Sequence, residues 1–153
     1  MDLAECLARG ALCMALEPRK RDDALRVMLD ELVQSNALRP NIVDSSLEAV
    51  LDRERLGSTA IGKGVAVPHA RVDNLDRIVV AFGHSEDGIE FRALDGAPVH
   101  EVFLVLAPSG AAAEYLALMQ QITRLVQDDD FRRFVGVAKS GQEVLDLIRE
   151  MAS

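Results

Sequence analysis

Gly57-Ser58-Thr59-Ala60-Ile61-Gly62-Lys63-Gly64-Val65-Ala66-Val67-Pro68-His69 is the stretch from which the rest of the chain is read. Gly62 and Gly64 flank Lys63, and glycine tolerates positive φ without a Cβ clash, so the backbone can bend sharply there. The short run Val65-Ala66-Val67 has the composition of a buried strand. Pro68 ends it, having no N–H to give to a ladder. His69 is therefore expected where a strand leaves its sheet, a place that commonly presents side chains to ligands. A histidine there can serve as base, metal ligand or nucleophile near neutral pH, or be a loop residue without a role.

The segment Leu51-Asp52-Arg53-Glu54-Arg55-Leu56 leads into this stretch. Together they resemble the phosphorylation-site signature of phosphotransferase-system (PTS) EIIA domains of the fructose/mannitol type, and within that type the nitrogen-regulatory branch. The similarity continues through Gly88-Ile89-Glu90-Phe91, Asp95-Gly96-Ala97-Pro98-Val99 and Leu104-Val105-Leu106-Ala107-Pro108, and so covers nearly the whole chain. The resemblance implies the EIIA type-2 (mannitol-specific EIIA-like) fold, and a bacterial phosphocarrier with a phosphohistidine intermediate rather than a self-contained enzyme. His69 is implied as the phosphoryl acceptor and Arg53 as its cationic partner. The implied donor is HPr or a nitrogen-branch HPr-like phosphocarrier, and the implied recipients are an EIIB or regulatory target proteins. No EIIB or EIIC sequence is attached, which favours a regulatory role. A sugar-transport subunit and an EIIA-like binding module without phosphotransfer remain as alternatives.

The residues themselves are suited to that chemistry. Phosphoryl transfer asks mainly for alignment and charge stabilisation, with an unprotonated attacking nitrogen. Arg53 can give a charge-assisted contact to phosphoryl oxygens, or merely favour the C-terminal end of its helix. Ser58 and Thr59 can donate hydroxyl hydrogen bonds to the same group, or serve the turn. Many EIIA relatives carry a second histidine near the start of the helix that follows the Ala-Pro strand end. Here Glu114-Tyr115-Leu116 puts Tyr115 at that position, and a tyrosine can donate a hydrogen bond but cannot carry positive charge. Gly62-Lys63-Gly64 lacks the nucleotide P-loop pattern. No cofactor and no metal is implied. His84 and His100 have no spacing that demands zinc, and no G-x-S-x-G elbow supports a hydrolase.

Composition bounds the remaining possibilities. At 153 residues the chain is most simply a single domain, 1–153, long enough to hold a core without staples. Aromatic residues make up only 4% and Trp is absent, so the core must be aliphatic. A formal charge of −8 excludes a general nucleic-acid binder, which needs a basic footprint. Mean hydropathy is +0.09 and the apolar runs are short, so no membrane insertion is expected. The N-terminus Met1-Asp2-Leu3-Ala4-Glu5 is acidic where a signal peptide is basic, which points to the cytoplasm. Cys6 and Cys13 have no metal-type spacing and read as reduced, structural thiols.

Periodicity supplies the elements. Leu3, Leu7, Leu12 and Leu16 suggest a short helix followed by a strand around 11–16. Residues 20–35 form an amphipathic helix through Leu25, Met28, Leu29, Leu32 and Val33. Ser45-Ser46-Leu47-Glu48 reads as a capping box opening a helix that carries Arg53 in its last turn. Strands are expected at 78–82 and 102–106, with turn signals at Glu86-Asp87-Gly88 and Leu94-Asp95-Gly96. Helices follow at 111–127, at 131–138 behind an Asp128-Asp129-Asp130 cap, and after a second capping box at Ser140-Gly141-Gln142-Glu143. Strands alternating with helices give an α/β fold: a central mixed β-sheet flanked by helices.

Overall fold

The computed structural model describes residues 2–152. Strands β2 (Ala60–Gly62) and β3 (Val65–Ala66) pair antiparallel across the two residues Lys63-Gly64. Both have positive φ, 59° and 82°, as a tight primed hairpin turn requires. Lys63 tolerates this conformation because its N–H is held by Asp95 Oδ2 at 2.9 Å. Asp95 also accepts the Ala97 N–H at 3.0 Å. These two backbone donors hold its carboxyl below the ordinary range.

Pro68 interrupts the sheet less than expected. β4 (His69–Arg71) resumes pairing beside the same neighbour, β6 (Val99–Ala107), with His69 opposite Val105. Pro68 gives no N–H, but its carbonyl accepts from Val105 N at 3.0 Å, and that bond keeps the chain along β6. His69 thus opens a strand, rather than sitting where one leaves the sheet.

β1 (Ala11–Cys13) and β5 (Val79–Ile89) complete a six-stranded sheet of order β1-β5-β6-β3-β2, with β4 also on β6. β1–β5, β3–β6 and β4–β6 are parallel, whereas β5–β6 and β2–β3 are antiparallel, so the sheet is mixed. β5 is longer than its apolar run. The Glu86-Asp87-Gly88 turn signal is absorbed as a register shift between His84 and Ile89 inside the strand.

Alternation along β6 divides the core between two layers. Val102, Leu104 and Leu106 face helices α2 (Arg21–Gln34) and α3 (Val43–Arg55), meeting Leu25, Met28, Leu29, Val50 and Leu51. Phe103, Val105 and Ala107 face the other layer: α1 (Leu3–Arg9), α4 (Ala112–Gln127), α5 (Asp129–Gly136) and α6 (Gly141–Met151). The core is largely aliphatic, with a small aromatic group in which Phe82 and Phe103 meet edge-on at 5.1 Å between centroids. Cys6 and Cys13 are buried and free. Burial raises Cys6 and pushes Cys13 up to about 12, leaving both as unreactive thiols near neutral pH.

The expected caps fare unequally. Asp128 caps α5 by accepting the Phe131 N–H at 3.0 Å. Ser140 accepts the Glu143 N–H at 3.2 Å, while the Glu143 carboxylate reaches the Lys139 N–H. The capping box at Ser45 does not form. The chain has already entered α3 at Val43 through a 3-10 turn (Pro40–Ile42), and Ser45 Oγ donates back to the Ile42 carbonyl at 3.2 Å.

Candidate functional site

Three elements converge on one side of β4. The last turn of α3 delivers Arg53, the segment before β2 delivers Ser58 and Thr59, and β4 delivers His69. They line a common cavity of about 490 Å³, which also includes Lys63, Met119, Thr123 and Arg132. His69 is half-buried. Its Nδ1 lies 2.8 Å from the Val67 carbonyl oxygen. A carbonyl only accepts, so this contact is satisfied when Nδ1 carries the proton. In the neutral imidazole Nε2 then holds the lone pair.

The hydrogen bonds behind His69 run back to the end of α3. Val67 N–H donates to the Thr59 carbonyl at 3.2 Å. Thr59 N–H lies 3.3 Å from both carboxylate oxygens of Glu54, and the Thr59 hydroxyl donates to Glu54 Oε1. Glu54 is only 4% exposed. Next to it in sequence, Arg53 donates from Nη1 to the Gly57 carbonyl at 2.9 Å. The turn that aligns the cation and the link that aligns the imidazole therefore share one anchor.

Ser58 and Thr59 line the cavity, but their hydroxyl protons are already committed. Ser58 Oγ donates to the Phe91 carbonyl at 2.8 Å and accepts the Ala60 N–H at 3.0 Å. Thr59 donates to Glu54. In this arrangement both build the loop. Tyr115 lies beside His69, ring centroids 6.2 Å apart and tilted by 48°. Burial raises its phenol above the ordinary value, and the positive charges of Arg71 and Arg53 only partly oppose this, so the hydroxyl keeps its proton at neutral pH.

Sequence reasoning did not single out two residues here. Glu54 continues the buried stripe Leu47, Val50, Leu51 at helical spacing, so an acid on an apolar face was a readable signal. Arg132 enters through tertiary packing: Nη1 donates to the Val126 carbonyl at 2.7 Å, and the guanidinium also meets Asp129. No local pattern marks it.

The other two histidines belong elsewhere. Glu101 lies four residues from Val105, His69's partner on β6, which is roughly 13 Å along a strand. His84 Nδ1 contacts Glu101 Oε2 at 2.9 Å and His84 Nε2 contacts Glu86 Oε2 at 3.2 Å, while His100 Nδ1 meets the Ser85 carbonyl at 2.8 Å. Among the described residues no group of three His, Cys, Asp or Glu is placed to hold a metal ion.

Burial raises Glu101 above the ordinary 4.5, against the lowering effect of His84 and His100. The native state thus binds this proton more tightly than the unfolded chain. That contribution to stability is full below the ordinary carboxylate value and is lost as pH rises through the raised one. Urea midpoints measured from about pH 4 to about pH 7 should therefore fall more steeply for the wild type than for Glu101→Gln. Parallel curves would contradict this assignment.

The sequence profile described as "Phosphoenolpyruvate-dependent sugar phosphotransferase system, EIIA 2" matches residues 11–151. A nitrogen regulatory protein from Bradyrhizobium diazoefficiens is 32% identical over 148 residues, covering 97% of this chain and 95% of that protein. The fructose-specific EIIABC component of Bacillus subtilis is 30% identical over 150 residues, and the match covers 98% of this chain but 23% of that much longer relative. The crystal structure of nitrogen regulatory protein IIA-Ntr from Neisseria meningitidis superposes with a TM-score of 0.83 at 26% identity, covering 95% of this chain and 98% of that one. IIA mannitol from Escherichia coli shares the fold, with a TM-score of 0.74. With a mixed sheet flanked by helices and a profile match from β1 to the end of α6, the chain belongs to the EIIA type 2 family of the phosphoenolpyruvate-dependent sugar phosphotransferase system.

Proposed function

We propose that this protein is a phosphoryl carrier of the nitrogen-regulatory kind, whose EIIA domain accepts a phosphoryl group on His69 Nε2 from an HPr-like donor. The observation that carries the reading is the 2.8 Å contact from His69 Nδ1 to the Val67 carbonyl. In the neutral ring it leaves the lone pair on Nε2, in a cavity shared with Arg53. As the Nε2–P bond forms, the N–P bond of the donor's phosphohistidine breaks. The Nδ1 proton stays on its hydrogen bond, and no water or cofactor takes part. Arg53 supplies the positive charge that aligns and stabilises the moving phosphoryl group, with Lys63 and Arg132 on the cavity wall adding to the field.

The regulatory assignment rests on relatives called nitrogen regulatory proteins, two of which are matched over 95% and 88% of their own length. The output is then phosphorylation-dependent binding to target proteins. Among the described residues no helix is long and apolar enough to cross a membrane. A second reading, transfer onward to the cysteine of an EIIB, is favoured by the match to the fructose-specific EIIABC component.

The test is phosphorylation by phosphoenolpyruvate and enzyme I, with ordinary HPr and the nitrogen-branch carrier compared side by side. One acid-labile phosphate per chain, gained faster from the nitrogen-branch carrier, is the expected result. Efficient passage to an EIIB cysteine would replace the regulatory reading with the transport one. No phosphate from either active donor would overturn carriage itself and leave a binding module.

A further inference from the structure

A second concave site lies away from His69. The C-terminal end of α1, the connection from α2 into α3 and the segment that leads from β4 to β5 enclose a cavity of about 650 Å³. That volume is within the range of small-molecule sites. Three arginines line it, Arg9, Arg39 and Arg77, against one acid, Asp76. This excess of positive charge is local, in a chain whose formal charge is −8. Ion pairs among the described residues engage Arg19, Arg21, Arg26, Arg55, Arg132, Arg133 and Arg149, and none of the three is among them.

The cationic rim is built on fixed backbone. Asn36 and Asn74 turn its two edges with φ of 63° and 68°, and Arg39 donates across to the Asn74 carbonyl. Arg9 lies near the Cys6 thiol, and its charge opposes the upward shift that burial gives that thiol. A guanidinium has five N–H donors in a planar fork, so these contacts leave donors for a ligand. Below the rim the wall is apolar, including Leu38, Ile42 and Leu75.

We infer that this cavity binds a small organic oxyanion: a phosphate monoester or a dicarboxylate carried on an apolar body. The guanidinium forks would grip the oxygens and the apolar wall would cover the body. The proposal is independent of phosphotransfer at His69.

Phenyl phosphate and phthalate are the probes, with inorganic phosphate and benzyl alcohol supplying each half of the chemistry alone. Binding is read by calorimetry and by amide shifts in ¹H–¹⁵N spectra, at constant ionic strength. Saturable binding of either probe with Kd of about 1 mM or tighter is expected, with shifts at Leu38 and Leu75. Which probe binds distinguishes a phosphate ligand from a carboxylate one. Arg39→Gln/Arg77→Gln should weaken binding by at least about tenfold, with the spectrum elsewhere unchanged, while His69→Ala binds as wild type does. Equal binding by Arg39→Gln/Arg77→Gln, shifts confined to the His69 cavity, or no saturation by either probe would overturn the proposal.

Discussion

His69→Ala takes up no acid-labile phosphate under conditions where the wild type takes up one per chain, as read by intact mass before and after mild acid. The loss is complete because His69 supplies the imidazole of the cavity, and none of the other residues lining it is a histidine. The side chain is half-exposed, so the variant keeps its fold within about 1 kcal/mol, and the loss is not an unfolding artefact. Arg53→Ala behaves differently. It keeps the nucleophile and loses a charge that acts on the transition state, so phosphate still arrives, about 10²–10³ slower. His100→Ala serves as the control, because its ring is bound to the Ser85 carbonyl at the other end of the pairing. Phosphate retained on His69→Ala would move the acceptor elsewhere and remove the basis of the carrier assignment.

On the proposed reading, Tyr115 sets the character of the site rather than its location. A second histidine there could bring a positive charge to a phosphoryl group, whereas Tyr115 keeps its proton and offers a neutral donor. The cavity still contains three basic side chains, so attraction for an oxyanion does not depend on position 115. A neutral donor also removes one titration from the neighbourhood of His69.

The glycine-flanked turn before His69 and the place of Arg53 at a helix end were legible because they are local features, whereas the roles proposed for both residues came from the family resemblance. The strand lengths were less so. β5 runs on to Ile89 because the pairing with β6 tolerates a register shift, and nothing in Glu86-Asp87-Gly88 distinguishes a bulge from a turn. The start of α3 was misplaced for a related reason: Pro40 begins a 3-10 turn that feeds the helix before Ser45 is reached, and capping preference yields to that entry. Arg132 was invisible because its place depends on how α5 folds back beside α4, and the charge run Asp128-Asp129-Asp130 is equally consistent with a solvated cap.

Glu54 is where fold and site meet, and its replacement has the largest expected effect on stability among the site residues. Glu54→Ala leaves the Thr59 N–H and the Thr59 hydroxyl without their acceptor, at a position 7% exposed. An orphaned buried donor costs about 1–3 kcal/mol, so with two of them urea unfolding should show a loss of about 2–6 kcal/mol. Glu54→Ala/Thr59→Val removes the hydroxyl as well and should recover about 1–3 kcal/mol of it, the backbone N–H remaining unpaired. The same change reaches the chemistry through Thr59, whose carbonyl holds Val67, whose own carbonyl holds His69 Nδ1. Glu54 is therefore a positioning residue, and its readout is the imidazole tautomer. The ¹⁵N shifts of His69 should show Nδ1–H dominant in the wild type and a mixture in both variants, with phosphorylation slowed in proportion. A destabilised Glu54→Ala whose His69 shifts match the wild type would confine Glu54 to the fold, and would mean that Val67 alone is enough to orient the ring.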